Sequence, residues 1–404
     1  LSKLYGIIFS LGLIFFAEVA FAVHSFGVIT DLEYQQREGE GQKPKTAYQN
    51  FFTLEQNWSN QSSKFIGQLR IFEYYKKFKN TDQMLHEVYP AEFNYELNSG
   101  RHRFTIGYQS LFLTEGFNLI DMEIFHARNN NISIFSLPEK LYYTSPGISY
   151  KMIGDKLSIQ MAILKFERTE QLGLVQKQVL GESFVLYKPI KKPQFEKASE
   201  YDSLLKLLGS TEYFDWSIYA TRTYEKRLNL QWSATNFEFS QVSVPFNSAG
   251  IGFSGPAGSY MFRWDYQKNF KRTYITETGT ELSLDQTNYN LSVERTFADK
   301  MRATIMFGRT EITPEKELPT RQNGISDLFI NLNYKFSEIL NLDVNLFDRL
   351  GTQTQGMGAA FNNKVLANIE LRFGFESFWT GPNSRLAPLD QEDKIYFGVK
   401  ATVF

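Results

Sequence analysis

Arg263 and Asp265 stand on either side of Trp264 in the stretch YMFRWDYQ, residues 260–267. A β-strand sends alternate side chains to opposite faces, so this cation, this anion and Gln267 share one face. Tyr260, Phe262, Trp264 and Tyr266 share the other. Charged groups on a wetted face can coordinate ions or solutes as they pass. Residues of the same phase recur along the chain as Glu92, Glu96, Arg227, Arg302, Lys335, Asp343, Glu370 and Arg372. Rings of such charge around an aqueous pore set its ion preference. The bland alternative for each is a solvated or paired wall residue that holds the shape of the fold. Glu92 and Glu96 favour cations locally, and the arginines of later segments oppose them, so no net selectivity follows.

Catalytic patterns are weak. The 4 histidines, His24, His86, His102 and His126, fall in no metal-ligand spacing. Ser254 lies in Gly252-Phe253-Ser254-Gly255-Pro256, which lacks the full Gly-x-Ser-x-Gly turn of a hydrolase. There is no phosphate loop and no dinucleotide fingerprint. A non-enzymatic chain without cofactor or metal is expected. The net charge of -1 argues against a nucleic-acid partner, which needs a basic face. The absence of cysteine removes disulfide and thiolate chemistry.

The elements that carry these residues have a period of 2. Phe93, Tyr95 and Leu97 alternate with Glu92, Asn94 and Glu96; Leu328, Ile330, Leu332 and Tyr334 alternate with Asn331, Asn333 and Lys335. The same pattern predicts strands near 26–36, 48–58, 64–75, 89–97, 101–113, 147–153, 156–166, 213–224, 227–237, 248–254, 259–270, 283–296, 301–311, 325–336, 339–350, 363–375 and 392–404. Runs such as 260–270 exceed the soluble average of about 5–6 residues and match the about 9–11 needed to cross a bilayer at a tilt. The apolar phase is rich in Phe, Tyr and Trp, which suits a lipid-facing band with aromatic girdles. The expected fold is therefore all-β, a transmembrane antiparallel barrel of about 16–18 strands.

Brief turns are expected at 98–100, 154–156, 225–226, 256–258, 298–300 and 337–338. Longer segments alternate with them, among them 114–146 and 167–212. Short turns at one end and long loops at the other is the layout of a bacterial outer-membrane barrel, with its turns in the periplasm and its loops outside. Both long segments are candidates for a constriction or lid. In the second, Ser199 as N-cap, Gly209 as stop and Tyr201, Leu204, Leu205 and Leu208 on one face predict a short amphipathic helix. At the start, Lys3, an apolar run over 4–17 and Ala20-Phe21-Ala22 fit a secretory signal peptide over 1–22, with the barrel over 23–404.

The segment RFTIGYQSLFLTEGFNLIDMEIFHARNN, residues 103–130, is similar to porin-like bacterial outer-membrane β-barrel proteins. Gly107, Gln109, Glu115, Gly116, Phe117, Asn118, Leu119 and Asp121 fit a pattern of Gly-x-Gln followed by Glu-Gly-Phe-Asn-Leu-x-Asp. The pattern departs where Leu113-Thr114 replaces a Trp and where His126-Ala127-Arg128-Asn129 lacks a Pro. The last strand ends on Phe404, which resembles the C-terminal signal of such barrels. The resemblance implies an outer-membrane channel for small solutes, with Asn118, Asp121 and Arg128 steadying an inward-folded loop. It also implies outer-membrane lipid and the barrel-assembly machinery as partners, with a homo-oligomer among the expected assemblies. The alternatives are a transporter for hydrophobic compounds and a non-conducting scaffold that binds through its loops.

Overall fold

The computed structural model describes residues 23–36, 46–77, 82–113, 122, 124–127, 142–165, 201–227, 230–233, 238–241, 243–275, 281–313, 324–351, 354–379 and 394–403. The region over 1–22, Asn118, Asp121, Arg128 and Phe404 lie outside them.

The first half of the wall is β1 (Val23–Gln36), β2 (Thr46–Ser59), β3 (Ser63–Lys77), β4 (Asp82–Ser99), β5 (His102–Gln109), β6 (Ser145–Met152), β7 (Leu157–Leu164), β8 (Asp202–Ser210) and β9 (Asp215–Tyr224). A hairpin follows, β10 (Leu230–Ser233) and β11 (Glu238–Gln241), paired only to itself. The second half is β12 (Pro245–Ala257), β13 (Tyr260–Ile275), β14 (Glu281–Phe297), β15 (Met301–Thr313), β16 (Ile325–Lys335), β17 (Leu340–Leu350), β18 (Thr354–Leu366), β19 (Ile369–Trp379) and β20 (Lys394–Val403).

These make one 18-stranded antiparallel sheet in which β9 pairs with β12 and every other strand pairs with its sequence neighbour. β1 also pairs with β20, from Val28↔Val403 to Gln36↔Ile395, which closes the sheet into a barrel. Closure removes the edges that an open sheet would present. The 18 strands fall within the expected range.

Alternation decides which face looks out. Phe262, Trp264, Leu291, Ile305, Leu346, Phe361, Phe373 and Phe397 are exposed. Residues of the opposite phase, Gln267, Asn288, Asn290, Ser292, Thr304, Thr310 and Asp327, are buried. The outer aromatics stack, Phe253 of β12 on Trp264 of β13 at 5.7 Å across the strand pair and Trp264 on Tyr266 at 6.4 Å along β13. With no water in a bilayer core, only this arrangement keeps polar groups off the lipid face.

Four expectations are corrected. Residues 202–210 form β8, a wall strand, and not the helix expected over 199–209. Its inward Leu204 packs against buried residues while Leu205 faces out, so apolar groups lie on both faces and mimic a helical stripe. Residues 225–226 are not a tight turn: they open the connection to β12, at the same end as the long loops, and the turn between β8 and β9 lies at 211–214. The strand expected over 227–237 is instead part of that connection and of the β10–β11 hairpin, so Arg227 leaves the wall. β18 also went unread as a separate strand, because Gly356, Gly358 and Ala360 supply its inward positions and leave little apolar signal.

Candidate functional site

Residues 110–144 connect β5 to β6, and their described parts run through the inside of the barrel. Ala127 packs with Phe72 and Tyr89 on β3 and β4. The Gln267 side-chain amide on β13 donates to the Met122 carbonyl at 3.0 Å. These strands are far apart around the ring, so one short segment can reach both only through the interior.

Further contacts fix the segment. Thr223 donates to the Ile124 carbonyl at 3.2 Å, and the Lys206 ammonium donates to the Leu113 carbonyl at 2.8 Å. Leu113, Ile124 and Phe125 pack on Ala162, Leu164, Leu204, Tyr219 and Phe246 of the inner wall. Tyr219 lies across Gly250, where an added Cβ would sit 2.3 Å from its ring, so the flat wall there depends on the missing side chain. On the far side Tyr143 donates to Glu87 at 2.6 Å, and Thr144 donates to the Pro90 carbonyl at 2.7 Å.

His126 is buried in the segment and accepts the Leu111 backbone N–H on Nε2 at 2.9 Å. Burial, helped by the Lys226 charge, pushes its imidazole down to about 3, so it is neutral near pH 7.

Beside it, at the loop end, lies a buried ion cluster. Arg272 donates to Glu225 at 2.6 Å and 2.8 Å, and Arg227 donates to the same carboxylate at 3.1 Å. Burial pushes the Glu225 carboxyl up, and the two guanidiniums more than reverse this and hold it well below the usual carboxylate range. Arg272 also donates to Gln286 at 2.8 Å and lies 5.0 Å over the Phe246 ring. Lys226 donates to Asp202 at 2.6 Å, and Asp202 accepts from Thr223 at 2.8 Å. The start of the β9–β12 connection is thus pinned to the wall by charges that sequence reading assigned, in the case of Arg227, to a strand.

The other candidate residues divide by partner. Glu96 accepts from Asn98 at 2.9 Å and lies 3.4 Å from Arg103. Glu92 stands among the charges of Lys64, Glu55 and Arg70. Asp343 accepts from Asn333 and, at 2.7 Å, from Asn362. Arg372 lies 5.3 Å over the Tyr396 ring. Glu370 is opposite Lys400 and Lys364 in the register. Arg302 and Lys335 are exposed, near the short-turn end of β15 and β16. Arg263 and Asp265 sit together on β13, on the face of Gln267.

Sequence reading put Gln267 on the wet face without giving it a role and passed over Lys206 and Thr223; these groups hold the inward segment. Neutral amides and hydroxyls on a wet face carry no distinguishing spacing. The inner wall is in fact amide-rich: Asn288 donates to Gln267 at 2.7 Å, Gln286 to Asn288 at 2.9 Å and Asn331 to Asn345 at 2.8 Å.

No family model matches the chain. No curated protein matches it. Solved structures do. OccAB4 of Acinetobacter baumannii is similar over 95% of this chain and 98% of its own, with a TM-score of 0.56 at 9% identity. A BenF-like porin from Pseudomonas fluorescens Pf-5 is similar over 95% and 98%, with a TM-score of 0.55 at 6% identity. OccK11 (OpdR) of Pseudomonas aeruginosa is similar over 96% and 97%, with a TM-score of 0.53 at 9% identity. At these identities the likeness is one of architecture, and nearly the whole chain takes part in it: the protein has the closed β-barrel fold seen in porin structures.

Proposed function

We propose that the protein is an outer-membrane channel that passes small solutes, constricted by the inward part of residues 110–144. The single observation that carries this is the chain crossing the interior of a closed barrel, from Phe72 and Tyr89 to Gln267, beside a polar wall. A barrel of this strand number has an interior wider than side chains can fill, so an aqueous passage is expected around the segment. In this reading Glu92, Glu96, Arg263, Asp265, Arg302, Lys335, Asp343, Glu370 and Arg372 line the path, and Asn118, Asp121 and Arg128 belong to the constriction. The similarity of residues 103–130 to porin-like proteins, and the fold shared with a BenF-like porin, support the same reading. Residues 1–22 act as the export signal, and β20 is the strand handed to the assembly machinery.

The test is conductance of the purified protein in planar bilayers. Discrete steps are expected, and they grow when residues 114–141 are replaced by a short Gly-Ser linker. No conductance from the folded barrel removes the channel reading.

A second reading, passage of apolar compounds, is favoured by one feature. Met306, Phe329, Phe347 and Phe378 lie in one row of the inner face across β15 to β19, interrupted by Gly356. Uptake of a labelled apolar compound that is unchanged on deletion of the gene removes it.

A further inference from the structure

The short-turn end of β14 carries a cation on the face that looks out. Leu291, Val293, Arg295 and Phe297 share the outward phase of that strand, and Leu291 is exposed. Aromatic rings hold the arginine in place. Its Nη1 donates to the Tyr260 hydroxyl on β13 at 2.7 Å, and its guanidinium carbon lies 4.8 Å from the centre of the Tyr260 ring and 4.5 Å from that of Phe297. Its Nε is covered and has no partner.

These rings position the charge without neutralising it. Among the described residues Arg295 has no carboxylate partner. Glu294 is on the opposite phase and lies 3.5 Å from Thr304, and Asp299 is exposed in the turn at 298–300. The donors of Nη2 are therefore left for a group outside the protein. The lumen lies behind the wall, so a solute inside the barrel does not reach this guanidinium.

The surface around it is graded. Ala303 stands opposite Arg295 on β15, with Leu332 beyond it on β16, so a small side chain leaves the head of the arginine uncovered on that side. Further from the turn, Val293, Ile305 and Ile330 form one outward apolar row, and Leu291, Phe307 and Leu328 form the next. A cation thus sits at the depth of the lipid headgroups, and apolar rows run from it toward the middle of the bilayer. An arginine is tolerated on the outer wall near the interface and not at the midplane. The anion available at that depth is a lipid phosphate, and a guanidinium pairs strongly with phosphate oxygens.

We propose that Arg295, Tyr260 and Phe297 form a site on the outside of the barrel for the phosphodiester of a glycerophospholipid in the periplasmic leaflet, with its acyl chains along the rows of Val293 and Leu291. The site rests on the outer-membrane reading of the barrel for its surroundings, and it is independent of whether the lumen conducts.

The experiment is native mass spectrometry of the full-length barrel, refolded lipid-free in a non-ionic detergent, with phosphatidylglycerol as probe. A galactosyl diacylglycerol of the same acyl chains is the control without phosphate, and inorganic phosphate is the control without chains. The phospholipid is expected to bind about tenfold more tightly than the galactolipid, the worth of one charge-assisted contact. Inorganic phosphate at the same concentration is expected not to bind. Arg295→Gln abolishes the preference for phospholipid, and Arg295→Lys keeps part of it. Arg222→Gln, which removes an exposed outward charge at the loop end of β9, leaves it unchanged. Heat-modifiable migration on gels certifies that each variant has folded. Equal binding of the two lipids, inorganic phosphate bound as tightly as the phospholipid, a preference lost equally in Arg222→Gln, or one unchanged in folded Arg295→Gln overturns the proposal. A dimer in place of bound lipid, lost in Arg295→Gln, assigns the patch to a second copy of this chain and overturns it as well. A barrel that enters vesicles of either lipid but shows no preference sinks the site alone, and one that enters neither sinks the membrane reading beneath it.

Discussion

Phe125→Ala should release the inward segment and leave the barrel standing. Phe125 is 0% exposed and packs among Leu164, Leu204, Tyr219 and Phe246, all on the wall. Truncating a buried Phe costs about 3–5 kcal/mol. The strand ladder does not touch this side chain, so the cost falls on docking of the segment and not on closure of the barrel. Near Phe125 the segment is then held by the remaining packing of Leu113 and Ile124, by the bonds from Gln267 and Thr223 at about 1 kcal/mol each, and by the charged one from Lys206 at about 1.5–3 kcal/mol. The docked population therefore falls by about 150-fold to about 5,000-fold relative to the released one, at about 1.4 kcal/mol per tenfold. Single-channel recording in planar bilayers reads this as a larger mean conductance with added flicker. Limited proteolysis reads it as new cleavage within 110–144. Adding Gln267→Ala should push both further by about 1 kcal/mol. A folded Phe125→Ala barrel with the native conductance, the native noise and no new cleavage would refute the assignment of this segment as the constriction.

Acid should loosen the same segment. His126 is neutral when docked and has its ordinary value near 6.5 when released, so the released form binds more protons between about 6.5 and about 3, and docking weakens as pH falls through that window. At pH 5 the loss is about 2 kcal/mol, at about 1.4 kcal/mol per unit; conductance and noise recorded at pH 7 and pH 5 should differ, and His126→Gln should flatten the difference. Arg272→Leu leaves Glu225 buried with Arg227 alone and should cost about 3–5 kcal/mol of local stability; protease cleavage within 225–244 that stays at the native rate would contradict this. Leu346→Arg puts a charge on the lipid face and should lower folding stability in vesicles by about 2–4 kcal/mol if it sits near the midplane, whereas the inward neighbour Asn345→Arg should cost much less; urea titration compares them.

The sequence carried the architecture because lipid and water impose one rule on every strand. Where that rule held on both sides, as at Tyr260–Gln267, face and neighbour could be read directly. It failed at β8, whose inward Leu204 answers to Leu113 and Phe125 and not to water. It failed again at β18, where small inward residues erase the contrast. The Leu230 and Trp232 alternation was truly a strand, but period alone does not say which sheet a strand joins. At the candidate site, Arg263 and Asp265 were visible by charge. The roles of Gln267, Lys206 and Thr223 were not legible, because they come from a segment distant in sequence: Met122 is met by Gln267 across the interior.

The pairing of β1 with β20 joins residues from opposite ends of the chain, Val28 to Val403. No strand pairing among the described residues spans a greater length of sequence, and this one cannot form before β20 has been synthesised. Until then the nascent polypeptide keeps two unpaired margins of hydrogen-bonding backbone and a greasy exterior with no lipid to receive it. Such non-local pairings are slow and exposed to aggregation. Pairing of β1 with β20 is therefore expected to be the closing step of folding, and without β20 a gap is left between β1 and β19 that no other described strand bridges.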